Sequence, residues 1–260
     1  MRRMVLTMAA LALMAAPAVA AKCGSNGAGF ESWKQAFASE AKANGVGARG
    51  LKALAATSYA TATIKADRNQ KSFKLSLGQF MQKRGAATII ARGKKLKAAN
   101  AALFAKLEKR YGVPPGPLIA IWGMETAFGA YMGNQNTVSA VATLAYDCRR
   151  PAFFTEQLVA ALKLVDKGVL SSSSKGAMHG ELGQTQFLPK NVFLFGADGD
   201  GGGINLNGKA DALASTAKFL SREGWSRGGT YRASSFANWN AATVYQKALA
   251  IMATKIDGGG

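Results

Sequence analysis

Apolar positions in this chain recur mostly at three- and four-residue steps, the spacing of helices with one buried face. Phe30, Trp33, Phe37 and Ala41 make the first such stripe, and a shorter one covers Arg49 to Ala56. Ser58 to Gln70, rich in Thr and Ala, loses the period and reads as extended chain or loop. Ser76 to Lys83 predicts a helix, and Ala87 to Tyr111 a long basic one, weakened at Gly93 and ended by Gly112-Val113-Pro114. Pro114, Pro115 and Pro117 suit the first turn of a new helix. Leu118, Ile119, Ile121 and Trp122 then form a segment that should be buried on most sides, and Glu125 enters it as a single carboxylate.

A loop from Gly129 to Asn136 precedes a short buried helix, Thr137 to Leu144. The turn from Tyr146 to Pro151 opens another, with Phe153, Phe154, Leu158, Ala161, Leu162 and Val165 on its apolar face. Ser171 to Ser174 is a polar loop, and a Gly-rich stretch leads from Gly176 to Pro189. Asp211–Glu223 and Ala241–Ile256 read as the last two helices. No repeat, heptad run or set of alternating strands is present. The class is mainly α, one domain over 22–260, with a small Gly/Asp-rich loop subdomain around 190–211.

The front of the chain has another layout. Arg2 and Arg3, the apolar run Val5–Met14 and the small residues Ala18-Val19-Ala20 form a cleavable export signal over 1–21. Its apolar run is short for a membrane span, so no anchor is expected after cleavage. Lys22 before Cys23 argues against lipidation. Export to an oxidising compartment makes a disulfide the expected state of Cys23 and Cys148, a closure that stabilises by roughly 4–5 kcal/mol. Free thiols and a metal site are the alternatives, but two cysteines and a lone His179 lack close ligand spacing.

Charge narrows the partners. Against 33 Lys and Arg stand 14 Asp and Glu, a formal net charge of +19. Such a field favours polyanions, and for an exported protein an acidic wall polymer is the most relevant. No base-reading motif accompanies the basic residues, so nucleic acid is not the expected partner.

Candidate chemistry centres on Glu125. Apolar surroundings disfavour the charged form of a carboxyl, which keeps it protonated near neutral pH. That is the requirement for the general acid of glycosidic bond cleavage. The bland alternative is a Glu that ends a buried helix with its carboxylate in water.

Three segments in order carry a family resemblance: GMETAFG around Glu125, YDCRRPAFF at 146–154 and GELGQTQFLP at 180–189. Together they resemble the lytic murein transglycosylases of the membrane-bound lytic transglycosylase B type. The resemblance implies a lysozyme-like helical fold of the goose-type and transglycosylase kind, with a cleft between a core and a smaller lobe. It also implies non-hydrolytic cleavage of the β-1,4 bond between N-acetylmuramic acid and N-acetylglucosamine in peptidoglycan strands. One Glu acts as acid and then as base, and the product is a 1,6-anhydro sugar. Glu125 corresponds to that Glu, Gln186 to a cleft Gln, and Arg149 and Arg150 to paired arginines for substrate carboxylates. Asn240 corresponds to a cleft Asn, and Tyr146 and Glu181 fall within the matching cleft segments.

The chain also departs from the pattern. Ala177, Phe153 and Phe219 stand where the resembled family carries hydroxyls, and His179 and Glu181 where it carries small residues. Glu181 as a water-activating base would make a lysozyme-like hydrolase. The lost hydroxyls would suit a non-catalytic wall-binding scaffold. No cofactor is required by the implied chemistry. Asp198, Asp200 and Asp211 correspond to a calcium loop in some relatives, but Gly196 takes the first ligand position and an extra Gly lengthens the loop. Envelope protein partners fit the location.

Overall fold

A computed structural model describes residues 22–69, 75–226 and 231–259; the expected export signal lies outside them. Twelve α-helices carry the described chain: α1 (Phe30–Ala43), α2 (Ala48–Ala55), α3 (Thr61–Arg68), α4 (Leu77–Lys83), α5 (Ala86–Ala99) and α6 (Ala101–Tyr111). There follow α7 (Pro115–Thr126), α8 (Thr137–Tyr146), α9 (Pro151–Asp166), α10 (Pro189–Phe195), α11 (Lys209–Arg222) and α12 (Thr243–Asp257). Gln135–Asn136 and Lys175–Gly176 pair as a two-residue antiparallel ribbon, β1 and β2. None of the described helices is long and apolar enough to cross a membrane.

The helices share two apolar clusters. Phe30, Trp33 and Phe37 of α1 pack with Leu54 of α2, with Val138 and Leu144 of α8, and with Leu158 and Leu162 of α9. The second cluster gathers around α7, whose Leu118, Ile119 and Ile121 are fully buried among side chains of α5, α6, α11 and α12. A helix apolar on all sides has to sit inside, as the sequence pattern required. Close approach needs small residues there. A Cβ on Gly116 would stand 2.4 Å from the Ala253 carbonyl of α12, and one on Gly123 would stand 2.5 Å from Ile89 of α5. Asp257 fixes the start of α7 by accepting the Gly116 N–H at 2.9 Å, a carboxylate placed at the positive end of the helix dipole.

Four expectations change. Thr61–Arg68 is helical, because Thr63 and Asp67 turn to the interior from a short helix that a Thr/Ala composition hides. The long basic helix divides at Asn100, which sits at φ −124° with its side-chain amide on the Leu96 carbonyl. Gly93 stays helical, where it lets Ile119 and Ile256 come close. Pro189 begins α10, so the Gly/Asp-rich loop expected around 190–211 is confined to the stretch between α10 and α11.

Cys23 and Cys148 form the expected disulfide, with Cα atoms 5.0 Å apart and a sequence separation of 125. Gly24 N–H donates to the Tyr146 carbonyl at 2.9 Å, so the bridge ties the start of the described chain to the end of α8. Reduction of the bridge, or Cys148→Ser, is expected to lower the unfolding free energy by about 3–5 kcal/mol. Urea midpoints with and without reductant measure this, and equal midpoints would refute it.

Candidate active site

Glu125 occupies the last turn of α7, half-buried where the apolar helix runs out. The chain then bends sharply, with Ala127 at φ 49° and Phe128 at φ 64°, both in the left-handed region. Backbone of this kind is costly for residues other than Gly and is held by its surroundings. Thr126 supplies the hold: its hydroxyl donates to the Gln184 carbonyl at 2.6 Å and accepts the Gly129 N–H at 2.9 Å. Trp122 Nε1 donates to Gln184 Oε1 at 2.7 Å, so the segment 183–187 is stitched to the end of α7.

A pocket of about 250 Å³ opens there, lined by Glu125, Glu181, Gln186, Asn191, Trp239 and Asn240. Glu125 Oε1 accepts two hydrogen bonds, from Tyr245 Oη at 2.5 Å and from Trp239 Nε1 at 3.1 Å. Trp239 is fixed edge-on by Phe187 and Phe219, at 5.2 and 5.3 Å between ring centres. Burial pushes the Glu125 carboxyl above its usual range. The Tyr245 and Trp239 hydrogen bonds and the Arg84 charge work against that, and the Glu181 charge adds to it. Tyr245, buried against this carboxyl, has its own hydroxyl held well above its ordinary value and so remains an O–H donor. A carboxyl whose hold on its proton is strengthened by burial, at the wall of an open pocket, suits the protonation of a bound oxygen.

Gln186 joins Glu125 in the pocket, at φ 55° and with its amide donating to the Gly183 carbonyl at 2.9 Å. Asn240 lines it too, and its Oδ1 accepts the Ala242 N–H at 2.9 Å at the start of α12. Glu181 lines it as well, with Oε2 on the His179 N–H at 2.9 Å.

Arg149 and Arg150 are placed differently. Both guanidinium groups ion-pair with Asp67 of α3, whose side chain is 1% exposed. Burial alone would raise the Asp67 carboxyl, but the hydrogen bonds and charges of the two arginines hold it below the usual range. Each arginine keeps about 40% of its side chain exposed. Tyr146 is a correction: it is 4% exposed and packs against Phe30, Trp33 and Tyr59, so it belongs to the core beneath the turn. Phe219 is likewise a wall for Trp239, whereas Phe153 is exposed.

The carboxylates of Asp198, Asp200 and Asp211 converge within 4.8 Å of one another. Asp198 accepts the N–H groups of Asp200, Gly201 and Gly203, and Asp211 those of Gly199 and Asn205. Every carboxylate oxygen has a second lone pair, so the oxygen-only donor set still fits a hard cation. Lys106 reaches the same loop, donating to the Gly199 carbonyl at 2.7 Å, and lends it a positive charge.

Sequence reading missed Tyr245, Asn191, Arg84 and the Asp67 partner of the arginines. Tyr245 lies five positions after Asn240 on the buried face of a helix, where an aromatic reads as core. Its hydroxyl becomes significant only once α12 is packed against α7.

The transglycosylase SLT domain family matches residues 29–248. The membrane-bound lytic murein transglycosylase B of Escherichia coli (strain K12) is 35% identical over 121 residues, 45% of this chain and 34% of that protein, so the likeness spans about a third of that relative. A crystal structure of SltB3 from Pseudomonas aeruginosa in complex with NAG-anhNAM-pentapeptide is 27% identical. It aligns with a TM-score of 0.81 over 88% of this chain and 80% of its own. The Escherichia coli lytic transglycosylase Slt35 in complex with calcium shares the fold at 18% identity, with a TM-score of 0.77 over 91% and 96% of the two chains.

Tyr245→Phe removes one of two hydrogen bonds that favour the ionised form of Glu125. The Glu125 carboxyl should then titrate at a higher pH than in the unaltered protein, followed by the side-chain carbon resonance of labelled Glu. Titration at the same pH in both would show that the hydroxyl does not act on this group.

Proposed function

The chain belongs to the transglycosylase SLT domain family, and from that premise we propose that it is a peptidoglycan lytic transglycosylase with Glu125 as its acid and base. The observation that carries the reading is the Glu125 carboxyl, pushed above its usual range by burial at the wall of an open pocket. The substrate is the glycan strand of peptidoglycan, cut at the β-1,4 bond between N-acetylmuramic acid and N-acetylglucosamine. The ligand of SltB3, a NAG-anhNAM-pentapeptide, supports a product of that class.

In the proposed sequence Glu125 gives its proton to the glycosidic oxygen as the bond to the muramoyl anomeric carbon breaks. The ionised carboxylate then takes the proton of the muramoyl 6-hydroxyl as that oxygen bonds to the same carbon. The 1,6-anhydro ring closes, Glu125 regains its starting form and no water is consumed. One carboxyl can serve both steps because the substrate supplies its own nucleophile, where an ordinary glycosidase needs a second carboxyl. Gln186, Asn191 and Asn240 bind and orient the sugar from the pocket wall. Trp239 and Tyr245 hold the carboxyl in place and favour its ionised form after the first proton transfer. The basic surface would draw the chain to the acidic wall, and the export signal expected over 1–21 supports a periplasmic site of action.

The deciding experiment is mass spectrometry of muropeptides released from purified sacculi. The unaltered protein should yield anhydro products, and Glu125→Gln should lower their release by about 10³-fold. Full activity in Glu125→Gln would refute the site. Products heavier by one water would move the reading to a hydrolase, and bound sacculi without products would move it to a scaffold.

Asp198, Asp200 and Asp211 would hold calcium as a structural ion that fixes the loop before α11. Bound to the native state alone, it would raise the thermal midpoint at about millimolar concentration, and Asp200→Ala should abolish that rise. No rise in the unaltered protein would leave the loop to its own N–H contacts.

A further inference from the structure

The loop before Gln186 brings a second carboxylate to the pocket that holds Glu125. Glu181 is clamped at both oxygens: Oε2 accepts the His179 N–H at 2.9 Å, and Oε1 lies 3.2 Å from His179 Nδ1. On the other side of the ring, Nε2 stands 3.8 Å from Asp67 Oδ1. Asp67 in turn is ion-paired with Arg149 and Arg150. A continuous chain of opposed polar groups therefore runs from the turn after α8, through α3, to the pocket wall. Each ring nitrogen of His179 faces a carboxylate.

We propose that Glu181 is a second working carboxylate of this site, fixed by the chain through His179 and Asp67 to Arg149 and Arg150 so that its negative charge faces the positive charge developing on the sugar. This rests on the transglycosylase reading of the pocket. Glu181 makes no bond and moves no proton: the proton lost by Glu125 goes to the leaving oxygen, and the muramoyl 6-hydroxyl returns one. Its part is electrostatic, and a fixed charge acts more strongly as bound substrate displaces water from the pocket.

The environments of the two carboxyls support the division. Burial acts to raise both, but the His179 hydrogen bond and charge bring Glu181 below the usual range, whereas Glu125 stays above it. Two carboxyl groups driven apart in one pocket take different roles, one as proton donor and one as permanent anion. The Glu181 charge also helps keep the proton on Glu125. The other groups that act on Glu125 are Tyr245, Trp239 and Arg84, which remain in every variant below.

The test is the pH dependence of kcat and kcat/KM for anhydro-product release by the unaltered protein, Glu181→Gln, Glu181→Asp and His179→Gln, each with its thermal midpoint. Glu181→Gln should still give anhydro products, with kcat lower by about 10²-fold and KM little changed. Its basic limb, where Glu125 loses the proton, should move to lower pH, because the neighbouring negative charge is gone. The acidic limb, where Glu181 takes up a proton, should disappear. In His179→Gln that limb should move to higher pH, and Glu181→Asp should recover part of the rate. Unmoved limbs in Glu181→Gln, whether kcat is retained or falls only with the thermal midpoint, would overturn the proposal. Failure of the underlying reading looks different: no anhydro products from the unaltered protein, or full activity in Glu125→Gln.

Discussion

The structure depends on one awkward placement, an ionisable carboxyl at the end of a helix that is otherwise apolar on every side. Leaving a carboxylate there without partners would cost several kcal/mol, and the chain meets that cost from two directions. Burial favours the protonated form, and Trp239 and Tyr245 supply donors for the moment when the proton leaves. Neither donor could be placed by local structure. Trp239 needs Phe187 from the pocket loop and Phe219 from α11 as walls, and Tyr245 needs α12 packed along α7. The small residues Gly116 and Gly123, which let α12 and α5 reach α7, are therefore part of the chemistry although they touch no substrate.

A second constraint is how few acidic side chains the chain has and where it uses them. Asp67, Asp147 and Asp211 are buried, each committed to arginines or to backbone N–H groups. Asp166 accepts the N–H groups of Gly47 and Gly50 at the start of α2, and Asp257 that of Gly116 at the start of α7. Acids spent on holding helices and turns do little to screen the surface. The formal net charge of +19 favours a polyanionic partner.

Much of this could be read before the fold was known, and the reason differs by residue. α7 was legible because Leu118, Ile119, Ile121 and Trp122 leave no polar face, and Glu125 stood out against them. The Cys23–Cys148 pairing followed from having two cysteines behind an expected export signal. Thr61–Arg68 was not legible, since its inward residues are Thr63 and Asp67, and a buried Asp looks like a surface one until its arginines arrive. Arg149 and Arg150 were read as groups for an external carboxylate, while the structure supplies an internal one 82 positions earlier in the chain. Tyr146 sits in a cleft-like motif but packs in the core, because the backbone there turns its ring toward Trp33 and Phe30.

The departures from the resembled family form a pattern once their positions are known. Phe219 replaces a hydroxyl with an aromatic edge that braces Trp239, so a contact to sugar is exchanged for tighter support of the acid. Ala177 removes a second hydroxyl, and its N–H donates to the Glu181 carbonyl at 2.9 Å, which shapes the loop that presents Glu181. Neutral hydroxyls bind sugars by geometry and are indifferent to pH. A His–Glu pair in the same loop brings full charge, whose effect reaches beyond contact distance and strengthens as substrate displaces water. Selection among substrates by hydroxyl contacts would thus weaken while field effects on the reacting carbon grow. The two changes compensate only if the glycan is already held from outside the pocket. On the proposed peptidoglycan substrate, the basic surface would supply that outer hold.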